Sequence, residues 1–335
     1  MGENTKIEWA HHTFNQWRGC TKVAPGCANC YAESLSKRNP STLGIWGPDG
    51  TRVMAAESAW REPVKWNKAA EAAGERHRVF CASLADVFED WRGPVRSHNG
   101  DDICVCHGCG EHVLFIENCK CGAERLPRKL TLNDLRRDLF ALIDATPHLD
   151  WLVLTKRPEN ILRMWPAVTI GSQEQADDRN ERGELYRRNV WLLTSIATQA
   201  DADKNLPAMR RCVDLVPVLG ISAEPLIEPV DFRLAKSISG ESDSHFKWII
   251  VGGESGHHAR PFNVAWARSI IKQCRDAGVP CFVKQLGSAA MEFSIHDLPR
   301  GMTRFVHSKG GDWNEWPADL RVREFPAVTR VSSNA

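Results

Sequence analysis

The chain has 335 residues, 43 of them Lys or Arg and 42 Asp or Glu, for a formal net charge of +1. That length holds one large α/β barrel or two ordinary domains, and a charge so near zero makes no electrostatic case for a nucleic-acid or membrane partner. No run of about 18 apolar residues is present to cross a bilayer, and the polar start at residues 1–6 lacks the apolar core of a signal peptide. The expectation is a cytoplasmic protein, whose 12 cysteines serve metal binding more readily than disulfides.

In chain order, Ile7-Glu8-Trp9 and Phe14-Asn15-Gln16-Trp17 predict a short first strand. It leads into a loop with Cys20, Cys27 and Cys30 at C-x6-C-x2-C, where Gly19, Pro25 and Gly26 favour tight turns. Three thiolates from one loop can hold three irons of a 4Fe-4S cluster and leave the fourth iron open. Radical S-adenosylmethionine (SAM) enzymes use such a site, where the reduced cluster splits SAM to a carbon radical. A zinc site with His11 or His12 as fourth ligand satisfies the same spacing. Ordinary buried cysteines are the third reading.

A helix is predicted over 28–39, a Gly- and Pro-rich loop over 40–52 and a helix over 56–73. Short apolar runs follow at 79–83, 151–155, 190–195, 216–222, 248–253 and 280–285. Helical patterns stand between them at 131–145, 157–165, 201–213 and 263–277. Near-continuous apolar strands alternating with helices predict a parallel sheet covered on both faces. The expected fold is α/β, a parallel (β/α) barrel, closed or partial, as a single domain over 1–335. A doubly wound open sheet is the second choice. The charged, aperiodic stretch 172–189 reads as a solvated loop.

An insert over 103–123 interrupts this alternation. Cys106-x2-Cys109 precedes Gly110, and Cys119-x-Cys121 precedes Gly122, with 113–116 as a hairpin arm between them. Four thiolates on two facing turns suit a structural, tetrahedral zinc, which would supply folding energy to a segment too small for its own core. Cys104 and His107 are substitutes for one ligand. A second iron–sulfur site and no metal at all are the alternatives. Cys81, Cys212, Cys274 and Cys281 read as ordinary buried cysteines.

Functional groups of (β/α) barrels gather at the strands' C-terminal ends. The exits carry Asp86, Lys156, Arg157, Ser195, Glu224, Glu254, Lys284 and Gln285. They suit a zwitterionic, hydroxyl-bearing ligand: Glu224 or Glu254 to accept from an ammonium, Arg157 to clamp a carboxylate or phosphate. Gly252 and Gly253 allow close approach of the backbone. No G-x-G-x-x-G, Walker A or G-x-S-x-G pattern is present, which removes support for nucleotide-binding folds and Ser hydrolases.

The stretch from Phe14-Asn15-Gln16-Trp17-Arg18-Gly19-Cys20 to Cys27-Ala28-Asn29-Cys30-Tyr31-Ala32-Glu33 resembles the signature of a phage-associated three-cysteine family that is radical-SAM-like. Further matches are Ala85-Asp86-Val87-Phe88, Leu154-Thr155-Lys156-Arg157-Pro158-Glu159-Asn160, Val251-Gly252-Gly253-Glu254-Ser255-Gly256, Phe282-Val283-Lys284-Gln285 and Asp319-Leu320-Arg321-Val322-Arg323-Glu324-Phe325-Pro326. The resemblance spans nearly the whole chain except the insert and 172–189. It implies a radical-SAM-type barrel, a cluster on Cys20, Cys27 and Cys30, bound SAM, and an electron donor, with no settled substrate. Two features depart from the pattern. The cysteine loop is three residues longer than the standard C-x3-C-x2-C, and Ile196-Ala197-Thr198 stands where the family carries an acid after the strand ending at Ser195. The expected function is hydrogen abstraction by a SAM-derived radical, with nucleic acid as first substrate class, in the cytoplasm of a phage-infected or lysogenic host. The competing class is a non-enzymatic zinc-binding barrel that binds nucleic acid or a protein partner.

Overall fold

The structure, a computed structural model, describes residues 2–3, 5, 7–106, 112–113, 128–166, 186–234, 245–293, 299–302 and 305–328. The chain divides into two compact units. The first comprises Met1–Val23, Cys30–Val153 and Asn160–Leu185; the second comprises Ala24–Asn29, Leu154–Glu159 and Tyr186–Ala335.

The first unit holds β1 (Gly2–Glu3), β2 (His12–Phe14), β3 (Trp17–Arg18), α1 (Tyr31–Arg38), α2 (Pro40–Leu43), β4 (Arg52–Met54) and α3 (Glu57–Ala73). Then come β5 (His77–Cys81), β6 (Val95–Arg96), β7 (Cys104–Val105), β8 (His112–Val113), β9 (Arg128–Lys129), α4 (Leu132–Asp144), β10 (Leu149–Thr155) and α5 (Ile161–Met164). Strands β1, β2, β5 and β10 lie side by side in that order. β1 runs antiparallel to β2, and the others are parallel. Two small sheets, β3-β4-β6 and β8-β7-β9, accompany them.

Helix α3 buries Ala59, Pro63, Trp66 and Ala70, a helical spacing, and Gly74 ends it in the left-handed region. Helix α4 begins with a capping box between Thr131 and Asp134 and buries Leu132, Leu135, Leu139, Phe140 and Ile143. Phe14 meets Trp60 and Trp151 edge-on, at centroid distances of 5.3 and 5.7 Å. A second cluster packs Trp17, Val95, Ile103, Val105, Leu130, Leu132 and Leu135 together. The base of the insert is therefore core of this unit.

The second unit holds β11 (Val190–Ser195), α6 (Gln199–Arg210), β12 (Val218–Ala223), β13 (Phe246–Gly252), β14 (Phe262–Asn263), α7 (Val264–Ala277), β15 (Cys281–Gln285), β16 (Ala290–Phe293) and β17 (Pro299–Met302). Strands β11, β12, β13 and β15 are parallel neighbours in chain order. The last two residues of β10 belong here, and Thr194 Oγ1 donates to Thr155 O at 3.3 Å. Every residue of β11 and β12 is buried, as expected of strands covered on both faces. Trp248 centres the packing, with Trp191, Phe282 and Phe325 at 5.7, 6.1 and 5.5 Å. The outer edge of β15 is covered by the C-terminal segment: Val283 N donates to Val322 O at 2.8 Å, and Phe282 pairs with Arg323. That cover protects an otherwise open sheet edge.

The predicted parallel α/β architecture is present, and the order of strands in each unit follows the chain. A doubly wound sheet reverses its order, and neither unit does so. Several local expectations change. The 157–165 helix is a 3-10 turn at Pro158–Asn160 followed by the single turn of α5. The 40–52 loop contains α2 and the start of β4. At the end of the 172–189 stretch, Arg187 is buried and its N–H donates to Leu215 O at 2.8 Å; residues 172–185 lie outside the described residues. In the insert β7 and β8 form the antiparallel pair, while Cys109, Cys119 and Cys121 lie outside the described residues.

His11 and His12 belong to a histidine group at the start of β2 and β5. His12 Nε2 and His77 Nδ1 are 3.0 Å apart, and His11 stacks on His77 at 5.1 Å. His12 lies flat on Trp66 at 4.3 Å. Burial, with Arg78 and His77 alongside, lowers the His11 pKa to about 4. Burial, with His77 and His11, lowers His12 to about 4 as well. Both stand below the ordinary histidine value, so the unfolded chain takes up these protons first as pH falls. The stability they carry is full above about pH 6.5 and is lost as pH falls through about 4. Thermal unfolding between pH 7 and pH 4 should show a loss on the order of 1–2 kcal/mol from this group, after discounting for solvent screening. His12→Phe, which keeps the stack on Trp66, should flatten that dependence.

Candidate functional site

The cysteine loop is anchored separately in each unit. Cys20 and Cys30 belong to the first, and Cys27 belongs to the second with residues 24–29. All three thiols are half-buried, and none forms a disulfide.

In the first unit, Gly19 has φ +103°, and a Cβ there would lie 2.6 Å from Thr51 O. A side chain is thus excluded where the chain turns into Cys20. Cys20 O accepts from Gly47 N at 3.1 Å. The next residue is fixed by a buried ion pair. Thr21 N donates to Glu89 Oε1 at 2.8 Å, and Thr21 Oγ1 accepts from Arg52 Nη2 at 2.8 Å. Arg52 Nε donates to Glu89 Oε2 at 2.7 Å and Nη2 to Glu89 Oε1 at 2.8 Å. The guanidinium lies 3.7 Å from the centre of the Trp91 ring. Arg52 is 0% and Glu89 2% exposed. Arg136 holds the turn that bears Glu89, donating to Val87 O and Glu89 O at 2.7 and 3.0 Å. Asp86, in the same turn, is buried and accepts from Phe88 N at 3.0 Å.

In the second unit, residues 25–27 form a 3-10 turn seated on the strand exits. A Cβ on Gly26 would stand 3.0 Å from Ala197 Cβ, 3.6 Å from Pro225 Cδ and 3.9 Å from Lys156 Cε. The turn therefore lies flush against the ends of β10, β11 and β12. Lys156 Nζ donates to Ser195 Oγ at 2.5 Å, and Ser195 Oγ donates to Glu224 O at 2.8 Å. Lys284 Nζ pairs with Glu224 Oε1 at 3.0 Å. A Cβ on Gly252 would fall 2.5 Å from that same oxygen, so the glycine makes room for the carboxylate. Gly253 serves packing: a Cβ there would lie 2.3 Å from Leu286 O. Gln285 Nε2 donates to Gly253 O at 3.0 Å. Arg157 is buried, and its N–H donates to Thr155 Oγ1 at 2.9 Å.

Glu254 accepts four hydrogen bonds. Its Oε2 accepts from Arg260 N at 2.8 Å, Arg260 Nε at 3.0 Å and Asn29 Nδ2 at 3.1 Å; its Oε1 accepts from Arg260 Nη2 at 2.8 Å. Burial alone would raise its pKa, but the bonds from Arg260 and Asn29 outweigh burial and hold the carboxyl below the ordinary range.

The second unit thus brings together Lys156, Ser195, Glu224, Gly252 and Lys284, with the turn before Cys27 beside them. Sequence reasoning missed Arg52 and Glu89 at the first anchor and Asn29 and Arg260 at the second. Glu89 was legible as a second acid in the exit after β5. Arg52 sat in a stretch read as loop, and nothing periodic marks Arg260. Among the described residues, no three His, Cys, Asp or Glu side chains are gathered into a metal-holding group.

The chain belongs to the family described as "Protein of unknown function (DUF5131)", whose model matches residues 4–104 and 126–317. The break in that match coincides with the cysteine-bearing insert. No curated protein matches the chain in sequence. Among solved structures, a mutant of spore photoproduct lyase is similar at a TM-score of 0.42 and 12% identity, over 91% of this chain and 72% of that one. No helix among the described residues is long and apolar enough to cross a membrane.

The first anchor sets a test of its own. Arg52→Ala leaves Glu89 buried and uncompensated, and should lower stability by about 3–5 kcal/mol in denaturant unfolding. Arg52→Met with Glu89→Leu, which removes both charges, should be much milder than that single change.

Proposed function

We propose that the chain is a radical-SAM-like iron–sulfur enzyme, built on a partial parallel (β/α) barrel, with its cluster on Cys20, Cys27 and Cys30. The observation that carries this reading is the seat of the cysteine turn in the second unit. Gly26 packs on Ala197, Pro225 and the Lys156 stem, at the strand ends where such folds bind ligands. Within that unit the turn that carries Cys27 packs beside Lys156, and Ser195 and Glu224 stand at the same strand ends.

The cluster supplies, when bound, the electron that splits SAM to a carbon radical able to take hydrogen from a substrate. The chain's own residues bind and orient. Glu224, 13% exposed and backed by Lys284, offers an acceptor to an ammonium or a ribose hydroxyl. Lys156 and Arg157 offer cations to a carboxylate or phosphate, and Arg157 can do so with two parallel bonds. Gly252 makes room for the Glu224 carboxylate itself. Gly253 and Gln285 hold the surrounding backbone, and Asp86 braces its own turn in the first unit. Glu254, saturated by Arg260 and Asn29, is spent within the protein.

Nucleic acid is the substrate class this reading favours, because Arg125, Arg128 and Lys129 flank the insert. Cys106, Cys109, Cys119 and Cys121 would hold a structural zinc there. A phage or prophage gene acting in the host cytoplasm, with a host electron donor, completes the reading. Calorimetric titration of cluster-loaded protein with SAM tests it. Wild type should bind SAM, and Glu224→Gln should weaken binding about tenfold without loss of iron, as for a lost charged hydrogen bond. Cluster-loaded wild type that binds no SAM overturns the enzyme reading.

A further inference from the structure

The geometry points to Glu254 and Arg260 as a latch that positions Cys27, with Asn29 as its second arm. Its purpose, presenting Cys27 to a cluster, rests on the function proposed above; its geometry does not. Glu254 is 6% exposed, and a carboxylate so buried is retained only when it is paired and hydrogen-bonded. Here the partners lead to the cysteine turn. Arg260 turns one edge of its guanidinium, Nε and Nη2, to the two oxygens of Glu254. Its remaining nitrogen, Nη1, donates to Pro25 O at 2.9 Å. Asn29 Nδ2 donates both to Glu254 Oε2 and, at 2.7 Å, to His258 O.

Pro25 and Asn29 each lie two residues from Cys27, one on either side. Both are tied to one ion pair, so the thiol between them is set by that pair. The seat of Gly26 against Ala197 leaves no gap for the turn to rock in. A lysine at 260 could not reproduce this, because a point charge cannot span the carboxylate edge and a third acceptor together. Cys20 has a separate anchor in the first unit, Thr21 on Glu89 and Arg52. The two cysteines therefore respond to different substitutions, which distinguishes a latch from general stability.

The test is residue-resolved alkylation of the metal-free protein with iodoacetamide, read by mass spectrometry, with iron retention under a chelator as second readout. Arg260→Ala, Arg260→Lys and the milder surface change Asn29→Ala are compared with wild type. The expected result is Cys27 alkylated about tenfold faster in both Arg260 variants and less so in Asn29→Ala, with Cys20 unchanged within about twofold, as local opening requires. Iron is then lost faster from the reconstituted variants. An unchanged Cys27 rate in all three overturns the latch. So does equal acceleration of Cys20 and Cys27, which marks general loosening. Wild type that takes up no iron overturns the cluster reading instead, and the alkylation rates still decide the latch.

Discussion

A strand buried on both faces has no room for polar chemistry along its length, so its functional groups must stand where it ends. Strands β11 and β12 are buried at every residue, and the lysines, serine and glutamates of the second unit collect at the exits of β10, β11, β12, β13 and β15. The same constraint explains the glycine at 252. The exit of β13 must pass the Glu224 carboxylate, and a side chain there would occupy the oxygen's position. Packing thus settles where chemistry can be, before any ligand is considered.

Several of the charges near the strand ends are held in ion pairs. Three pairs do this work: Arg52 with Glu89, Arg260 with Glu254, and Lys284 with Glu224. The first two also reach the cysteine loop, one on each side. Each spends a buried ion pair, which is seldom a net source of stability, on fixing a short piece of backbone next to a thiol. The third is more exposed, and its carboxylate fills the room that the missing side chain of Gly252 leaves.

The sheet was legible in the sequence because apolar runs of five to seven residues, bounded by polar ones, leave few readings. Val190–Ser195 was found to the residue. The exits were legible for the same reason, which is why Lys156, Ser195, Glu224 and Lys284 appeared together. Arg260 was not, because its role depends on a loop folding back to Pro25, more than two hundred positions away in the chain. Arg52 was hidden by its surroundings: a glycine- and proline-rich stretch reads as surface, yet its last residue enters β4 and is fully buried. His11 and His12 lie near the cysteine loop in sequence. The register of β2 on β5 instead brings them to His77. Glu254 stands at a strand exit in the sequence, and four bonds within the second unit occupy it.

The proposed function requires the cysteine loop to hold a cluster. Anaerobic reconstitution, followed by iron and acid-labile sulfide analysis with a visible absorption spectrum, measures this directly. Wild type should carry about four irons and four sulfides per chain with broad visible absorption. Cys20→Ala, Cys27→Ala and Cys30→Ala should each lose the cluster. Iron content unchanged in all three variants, or thiolate-bound zinc in place of iron and sulfide in the wild type, would contradict it.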